Sequence, residues 1–267
     1  TYFNQNDKNT SIGNFRFIRL GADFFIDNRN TLTVNGNFVK GKFEPFSVND
    51  ILVDTLSNPK NSSSFLRTSN TLGEFRNMGS QLSFKHNFPK AGREWTADAT
   101  FNASKNNNAN DIRTDTFNLP SYTIRNTAKQ QQITNGDNKN ITIQTDYSTP
   151  LTDKSKLELG ARANFREVNS INNFFFVNPV TGQTTYIAPL SVEYNSNDQV
   201  YAAYANYSNK IKDFGYQLGL RAESSNYEGV LPDKNQTFKI DFPISLFPSI
   251  FLSKKKKKNQ DLQLNYS

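Results

Sequence analysis

The stretch Leu157–Phe165 reads LELGARANF, and it decides the fold. Apolar or small residues occupy every second position, and glutamate, glycine, arginine and asparagine stand between them. Successive side chains of a strand point to opposite faces of its sheet, so this alternation predicts a strand with one apolar and one polar face. A tilted strand needs roughly 9–11 residues to cross a bilayer, and this stretch has about that length.

The same alternation recurs on both sides of this stretch. Four further segments repeat it: Leu32–Phe38, Leu82–Phe88, Trp95–Phe101 and Phe214–Ala222. No segment sustains the period of an amphipathic helix, and the longest apolar runs are far shorter than the roughly 20 residues of a transmembrane helix. The sequence therefore predicts an all-β chain of antiparallel strands that follow each other in sequence order.

The predicted connections between strands are of two kinds. Short turns rich in Asp, Asn, Lys, Gly or Pro are expected at 27–30, 89–93, 149–156, 209–213 and 254–261. Long polar segments, expected to be loops, separate the hairpins at about 40–71, 103–139, 167–198 and 223–239. Short periplasmic turns and long extracellular loops are typical of outer-membrane barrels, whereas soluble sandwiches more often have short connections at both ends. The asymmetry favours a transmembrane antiparallel up-and-down β-barrel, with about ten strands in this chain.

The composition agrees with a sheet that lies between lipid and water. Only 35% of the residues are hydrophobic, which is low for a central core, yet 13% are aromatic, which argues against disorder. Aromatic residues gather at both ends of the predicted strands, as in the two interfacial girdles of a membrane barrel. The chain has no cysteine, and its net charge of +7 is scattered apart from Lys254–Lys258. Neither a thiolate metal site nor a nucleic-acid partner is expected.

Three groups of segments carry a family resemblance. They are Leu20–Phe25 with Asn30–Thr33, then Tyr201–Tyr204 with Phe214–Glu223 and Asn226–Gly229, and finally Leu246–Ser253 with Asp261–Ser267. These segments resemble the outer-membrane β-barrel family found with TonB-dependent receptors of Bacteroidetes. The resemblance implies a barrel of about twenty-two strands around an N-terminal plug, with energy supplied by TonB. This chain shows about ten strands, no plug and no TonB-binding segment, so residues 1–267 are expected to form a partial outer-membrane barrel domain.

The polar positions of the predicted strands are candidates for the lining of the lumen. They are Arg19, Asp23, Asp98, Gln144, Asp146, Glu158, Arg162, Arg221 and Glu223. Their mixed signs predict paired wall charges rather than a selectivity ring of one sign.

Aromatic residues of the predicted loops form a second candidate group. They are Tyr122, Phe174, Phe175, Phe176 and Tyr186. Such rings could stack on an extracellular ligand, for example a sugar, or could hold the loops together, and the sequence gives the two interpretations equal weight.

No catalytic centre, metal site or cofactor is expected. His86 is the only histidine and has no assignable nucleophile or carboxylate partner, so it is expected to be an interfacial side chain beside a short turn. Fingerprints of hydrolases, zinc proteases and nucleotide-binding enzymes do not occur in the sequence.

The expected function is ligand binding and uptake at the bacterial outer membrane. The expected partners are outer-membrane lipid, a plug domain and TonB, together with an extracellular ligand of unknown identity. Two alternatives remain open at this point. The chain could belong to a non-transporting structural or adhesive outer-membrane protein, or to a soluble glycan-binding sheet whose apolar stripes are buried against each other.

Overall fold

The computed structural model describes residues 2–54, 62–256 and 260–266. Within these ranges the chain forms a single antiparallel sheet whose strands lie side by side in sequence order, apart from the short β7, which pairs only with β6. The strands are β1 Tyr2–Phe25, β2 Asn30–Asp54, β3 Ser63–Asn87, β4 Glu94–Asn118, β5 Thr123–Pro150, β6 Ser155–Val177, β7 Thr184–Tyr186, β8 Val192–Ile211, β9 Phe214–Leu231, β10 Gln236–Lys256 and β11 Gln260–Tyr266. The predicted all-β, up-and-down arrangement is confirmed.

The predicted short turns are confirmed wherever the structure describes them. They connect the strands at 26–29, 88–93, 151–154 and 212–213. Of the turn predicted at 254–261, residues 257–259 lie outside the described residues, 254–256 end β10, and 260 and 261 begin β11. In the first turn, Asp27 accepts hydrogen bonds from the backbone N–H of Arg29 at 2.7 Å and from that of Asn30 at 2.8 Å. The Asn30 side-chain amide, followed by these backbone donors, holds the pKa of Asp27 below its ordinary value.

The predicted long loops are wrong in extent, because most of their residues lie in strands. β4 and β5, for example, continue to Asn118 and from Thr123, which leaves only 119–122 as their connection. The other described connections at this end of the sheet are 178–183, 187–191 and 232–235, and 55–61 is outside the described residues. At this end most residues of strands such as β4 and β5 are polar, so these segments carry no hydrophobic alternation although their backbones pair with the neighbouring strands.

One face of the sheet carries a continuous apolar band next to the short turns. Strand register joins its side chains across the sheet, as in the row Ala22, Val34, Leu82, Ala99, Ile143, Ala163 and Tyr201. The margin of this apolar band farther from the short turns is formed by Ile18, Phe38, Met78, Ala103, Phe165 and Tyr201. We call the remainder of each strand, beyond this margin, the extension.

No second layer covers the apolar band. Among the described residues only Ile112 and Ala202 are buried hydrophobic side chains, whereas Leu20 is 74% exposed and Ile143 is 53% exposed. A soluble sheet protein buries its apolar face against another layer, because exposed apolar surface of this extent is unfavourable in water. The single-layer sheet therefore argues against the soluble glycan-binding alternative.

Aromatic rings border the apolar band at both margins. Near the short turns the ring centroids of Phe84 and Trp95 lie 5.5 Å apart, and those of Phe88 and Tyr147 lie 5.9 Å apart. His86 packs edge-on against Phe88, and its Nδ1 lies 2.6 Å from the Asn30 side-chain oxygen, which fits the predicted interfacial role. At the other margin Phe165 packs edge-on against Tyr201.

On the polar face, aromatic rings lie over glycines of the neighbouring strand. A Cβ at Gly73 would come within 2.6 Å of several Phe43 ring atoms, and a Cβ at Gly41 would meet the Phe75 ring. Phe43 and Phe75 also contact each other, with centroids 6.3 Å apart. Glycine thus leaves room for rings that cover the backbone where the sheet has no other packing layer.

We expect Gly73→Ala to lower the free energy of unfolding by about 1 kcal/mol, because the new methyl group displaces the Phe43 ring. Urea titration of the refolded protein, read by heat-modifiable electrophoresis, measures this change. Gly36→Ala is the matched control, since its Cβ would have no neighbour nearer than 3.8 Å. In a Phe43→Ala background, Gly73→Ala should be nearly neutral. Equal losses at Gly73 and Gly36 would contradict this account.

Candidate functional site

The predicted lumen-lining residues share the polar face, and five of them lie in one register row. This polar row consists of Asp23, Thr33, Ser83, Asp98, Gln144, Arg162, Ala202 and Glu223. Asp146 and Arg221 stand one row nearer the short turns, in register with Gly160 and Tyr204. Glu158 lies one row further in that direction, and Arg19 lies on the opposite side of the polar row.

Hydrogen bonds link the acidic groups of this face to neighbouring hydroxyl and amide donors. Thr33 donates to Asp23 at 2.5 Å, Ser83 donates to Asp98, and Gln144 donates to Asp146 at 2.8 Å. These hydrogen bonds hold the carboxyl groups in position, and their hydroxyl and amide donors add no positive charge.

Two ion pairs on this face involve candidate residues. Arg221 forms an ion pair with Glu223 at 2.7 Å, and Ser225 donates a further hydrogen bond to the same carboxylate at 2.9 Å. Glu158 pairs with Lys156 at 2.6 Å. Within the part of the chain that the structure describes, no carboxylate lies within 4.0 Å of the guanidinium groups of Arg19 and Arg162. Both arginines are exposed on the polar face.

Tyr204 is the residue that the sequence reasoning missed. Its hydroxyl donates to Asp146, and its ring lies over Gly160, where a Cβ would come within 2.4 Å of ring and hydroxyl atoms. The signal was present in the sequence, since Tyr201 and Tyr204 are three positions apart and must point to opposite faces. Tyr201 lies at the margin of the apolar band, and Tyr204 lies among the predicted lining residues.

The predicted group of loop aromatics does not form one site. Phe174, Phe175 and Phe176 lie in β6 rather than in a loop, and alternation places Phe175 on the face opposite to the other two. Phe175 packs against Tyr186 of β7, with centroids 5.7 Å apart, on the face that carries the apolar band. Tyr122 is 62% exposed in the β4–β5 connection, far along the chain from the others. Their contact with a ligand stays a prediction.

The extensions are held together by polar side chains rather than by an apolar core. Asp115 accepts hydrogen bonds from Thr127 at 2.6 Å and from Arg113 at 2.9 Å, and Gln132 donates to Asn172 at 3.0 Å. Burial by itself raises the pKa of Asp115, but the hydrogen bonds from Thr127 and Arg113 and the charge of Arg113 outweigh it. Together they hold the pKa below its ordinary value.

The described residues contain neither a metal-binding cluster nor a membrane-spanning helix. No group of three or more acidic, histidine or cysteine side chains is arranged to hold a metal ion there. No helix in the same part of the chain is long and apolar enough to cross a membrane.

Comparison with known proteins places the chain among membrane barrels. A model of the outer membrane protein beta-barrel family matches residues 86–267, which is more than half of the chain. A search of curated proteins finds no match.

Solved receptor structures share the strand arrangement. The closed form of the ferric-catecholate import receptor Fiu from Escherichia coli K12 has a TM-score of 0.51 at 12% identity, covering 97% of this chain and 49% of that one. The ferripyoverdine receptor of the Pseudomonas aeruginosa outer membrane has a TM-score of 0.53 at 9% identity, covering 98% of this chain and 42% of that one. The chain spans less than half the length of either receptor, and identities this low show the fold alone.

We expect the tip of the β4–β5 hairpin to loosen in acid through Asp115. The pKa of Asp115 is lower in the folded protein than in the unfolded chain, so its ionised carboxylate stabilises the fold at pH values above the unfolded pKa. This stabilisation is lost as the pH falls through the pKa of the folded state. Hydrogen exchange in the Asp111–Thr127 segment should therefore accelerate as the pH falls below about 4, after correction for intrinsic exchange rates. Asp115→Asn should flatten this pH dependence, whereas Asp137→Asn in the same pair of strands should leave it intact. An unchanged profile in Asp115→Asn would contradict the assignment.

Proposed function

Because the chain belongs to the outer membrane protein beta-barrel family, we propose that it forms part of the barrel of a receptor that binds an extracellular ligand and takes part in its uptake. The chain lies in the bacterial outer membrane, with its apolar band against lipid. The observation that carries the proposal is the division of strands such as β4 and β5 into a two-faced membrane segment and a largely polar extension.

The lengths of the strands support this division. β4 has 25 residues and β5 has 28, whereas crossing the bilayer takes roughly 9–11 residues of a tilted strand. The surplus lies at the end opposite the short turns, which is the extracellular end in barrels of this kind. Large extracellular hairpins offer a rigid frame on which connections can meet a ligand before it enters the lumen.

The polar face supports a partner inside the barrel. Exposed Arg19 and Arg162 lack carboxylate partners within the described part of the sheet, and their guanidinium forks suit carboxylates or backbone carbonyls of a plug domain. A plug, coupling to TonB and an origin in Bacteroidetes belong to this proposal as predictions. The family and the structural neighbours are outer-membrane barrels and receptors rather than enzymes, so we propose no catalytic role.

A non-transporting adhesive or structural role is the second candidate. The same extensions that could capture a ligand for uptake could also bind a surface or another protein, and the pair of half-buried Phe175 and exposed Tyr186 would suit such contact. The two candidates differ in energy coupling, because only uptake requires TonB.

The orientation can be tested by labelling single cysteines, since this chain has none of its own. Val180 is 92% exposed in the connection after β6, and Lys154 is exposed in the short turn after β5. In the full-length protein, with any other cysteines replaced, Val180→Cys should react with a membrane-impermeant maleimide on intact cells. Lys154→Cys should react only after permeabilisation. The reverse pattern would overturn the assignment of the extensions to the outside.

Uptake itself is tested by deleting the full-length gene and following the medium by untargeted mass spectrometry. We expect at least one solute to be depleted by wild-type cells and by complemented cells but not by the deletion strain. The depletion should also stop when TonB is removed. Binding to intact cells without TonB-dependent depletion would instead support the adhesive or structural role.

A further inference from the structure

Four basic residues form a row across the first four strands. Strand register pairs Arg16 with Lys40, Lys40 with Arg76, and Arg76 with Lys105. Neighbouring strands are about 4.8 Å apart, so this basic row is about 14 Å long. On β5 the row meets Asp137, and on β6 and β8 the same level carries only asparagine.

The basic row stands on the face that carries the apolar band. Each basic residue is two positions beyond a residue of the band margin, as Arg16 is from Ile18 and Lys105 is from Ala103. The pairings of β1 to β4 run through this region without a register shift, so these side chains share the face of their band neighbours. The basic row therefore lies at the extracellular margin of the lipid-facing surface, at the level of the outer-leaflet head groups.

Most of the charge in the basic row is uncompensated. Lys105 pairs with Asp137 at 3.4 Å, and the nearby Glu74 is taken by Lys42 at 2.5 Å. Arg16, Lys40 and Arg76 are exposed, and none has a carboxylate within 4.0 Å in the part of the chain that the structure describes.

The arrangement is unfavourable for the sheet by itself. Like charges directly opposite each other on neighbouring strands destabilise the pair, and the basic row contains three such pairs in succession. Solubility alone does not require this, because other cross-strand pairs of the extensions alternate in sign, as Lys139 and Glu167 do at 3.3 Å. An anionic ligand that contacts all three uncompensated side chains would remove the repulsion.

We propose that the basic row binds the phosphate groups of a phosphorylated glycolipid of the outer leaflet, whose acyl chains lie on the adjoining apolar band. Arginine presents a planar fork that holds phosphate oxygens in pairs, and lysine adds a compact charge between the two arginines. Ile18, Phe38 and Met78 lie directly below these groups and provide the apolar surface for the chains. The inference rests on the outer-membrane location and on the proposed outward orientation of the extensions, and not on the proposed uptake.

The test uses the full-length protein in detergent micelles that contain lipid A as the probe, with native mass spectrometry to count retained lipid. Wild-type protein should retain bisphosphorylated lipid A roughly tenfold or more better than dephosphorylated lipid A, and retention should fall with added salt. The triple variant Arg16→Gln, Lys40→Gln, Arg76→Gln should lose this preference. Arg29→Gln, Lys154→Gln, Lys210→Gln removes equal charge at the short turns and should keep it.

The outcomes separate the lipid from other sources of phosphate. Millimolar inorganic phosphate should not displace lipid A, and displacement would overturn the assignment to a lipid. Equal retention of phosphorylated and dephosphorylated lipid A by wild-type protein would overturn the phosphate contact, and this comparison needs no variant to fold. If both triple variants lost the preference for phosphorylated lipid A equally, the basic row would not be the binding site. If the first triple variant lacks the heat-modifiable mobility of a folded barrel, Lys40→Gln alone should still lower the preference, and an unaltered preference would count against the site.

Discussion

The structure depends on one constraint, which is that a backbone inside lipid can find hydrogen-bond partners only in its own neighbours. β4 meets this demand on both sides: Trp95 lies opposite His86 of β3 and Tyr147 of β5, and Phe101 lies opposite Ser80 and Ile141. Two register shifts occur among the described strands, at Thr116/Phe117 and at Phe242/Ser245. The first lies far from the apolar band, whereas the second lies opposite Ser224, which is in register with Tyr201 at the band margin. Pro243, which has no N–H to donate, falls within the second shift.

Regular register also places side chains from successive strands next to each other in rows that run across the sheet. The polar row, the apolar band and the basic row each combine residues from widely separated parts of the sequence. The three rows differ in chemistry: the first is polar, the second apolar and the third positively charged. A shift of one residue in any strand would exchange the first two rows along the whole strand, so register carries the function as much as the fold.

Alternation in the sequence was sufficient to predict the strands of the apolar band and the face of each lumen-lining candidate. It could not predict the extensions, because segments such as 104–118 are mostly polar and show no hydrophobic period. Cross-strand partners also need the register, as for Lys139 of β5, which lies opposite Glu167 of β6 and pairs with it at 3.3 Å. Tyr204 lies three positions after Tyr201 in β8, so the two rings are on opposite faces and only Tyr201 belongs to the apolar band.

The band and the extensions differ in what stabilises them. In the band, burial in lipid supplements a complete backbone ladder, whereas the extensions rely on polar contacts such as Ser69 to Asn110 and Gln132 to Asn172. A hydrogen bond of this kind contributes about 1 kcal/mol net, and water competes for each one. Local opening therefore costs less in the extensions than in the band. The strand ends far from the short turns can therefore open locally while the band keeps its register.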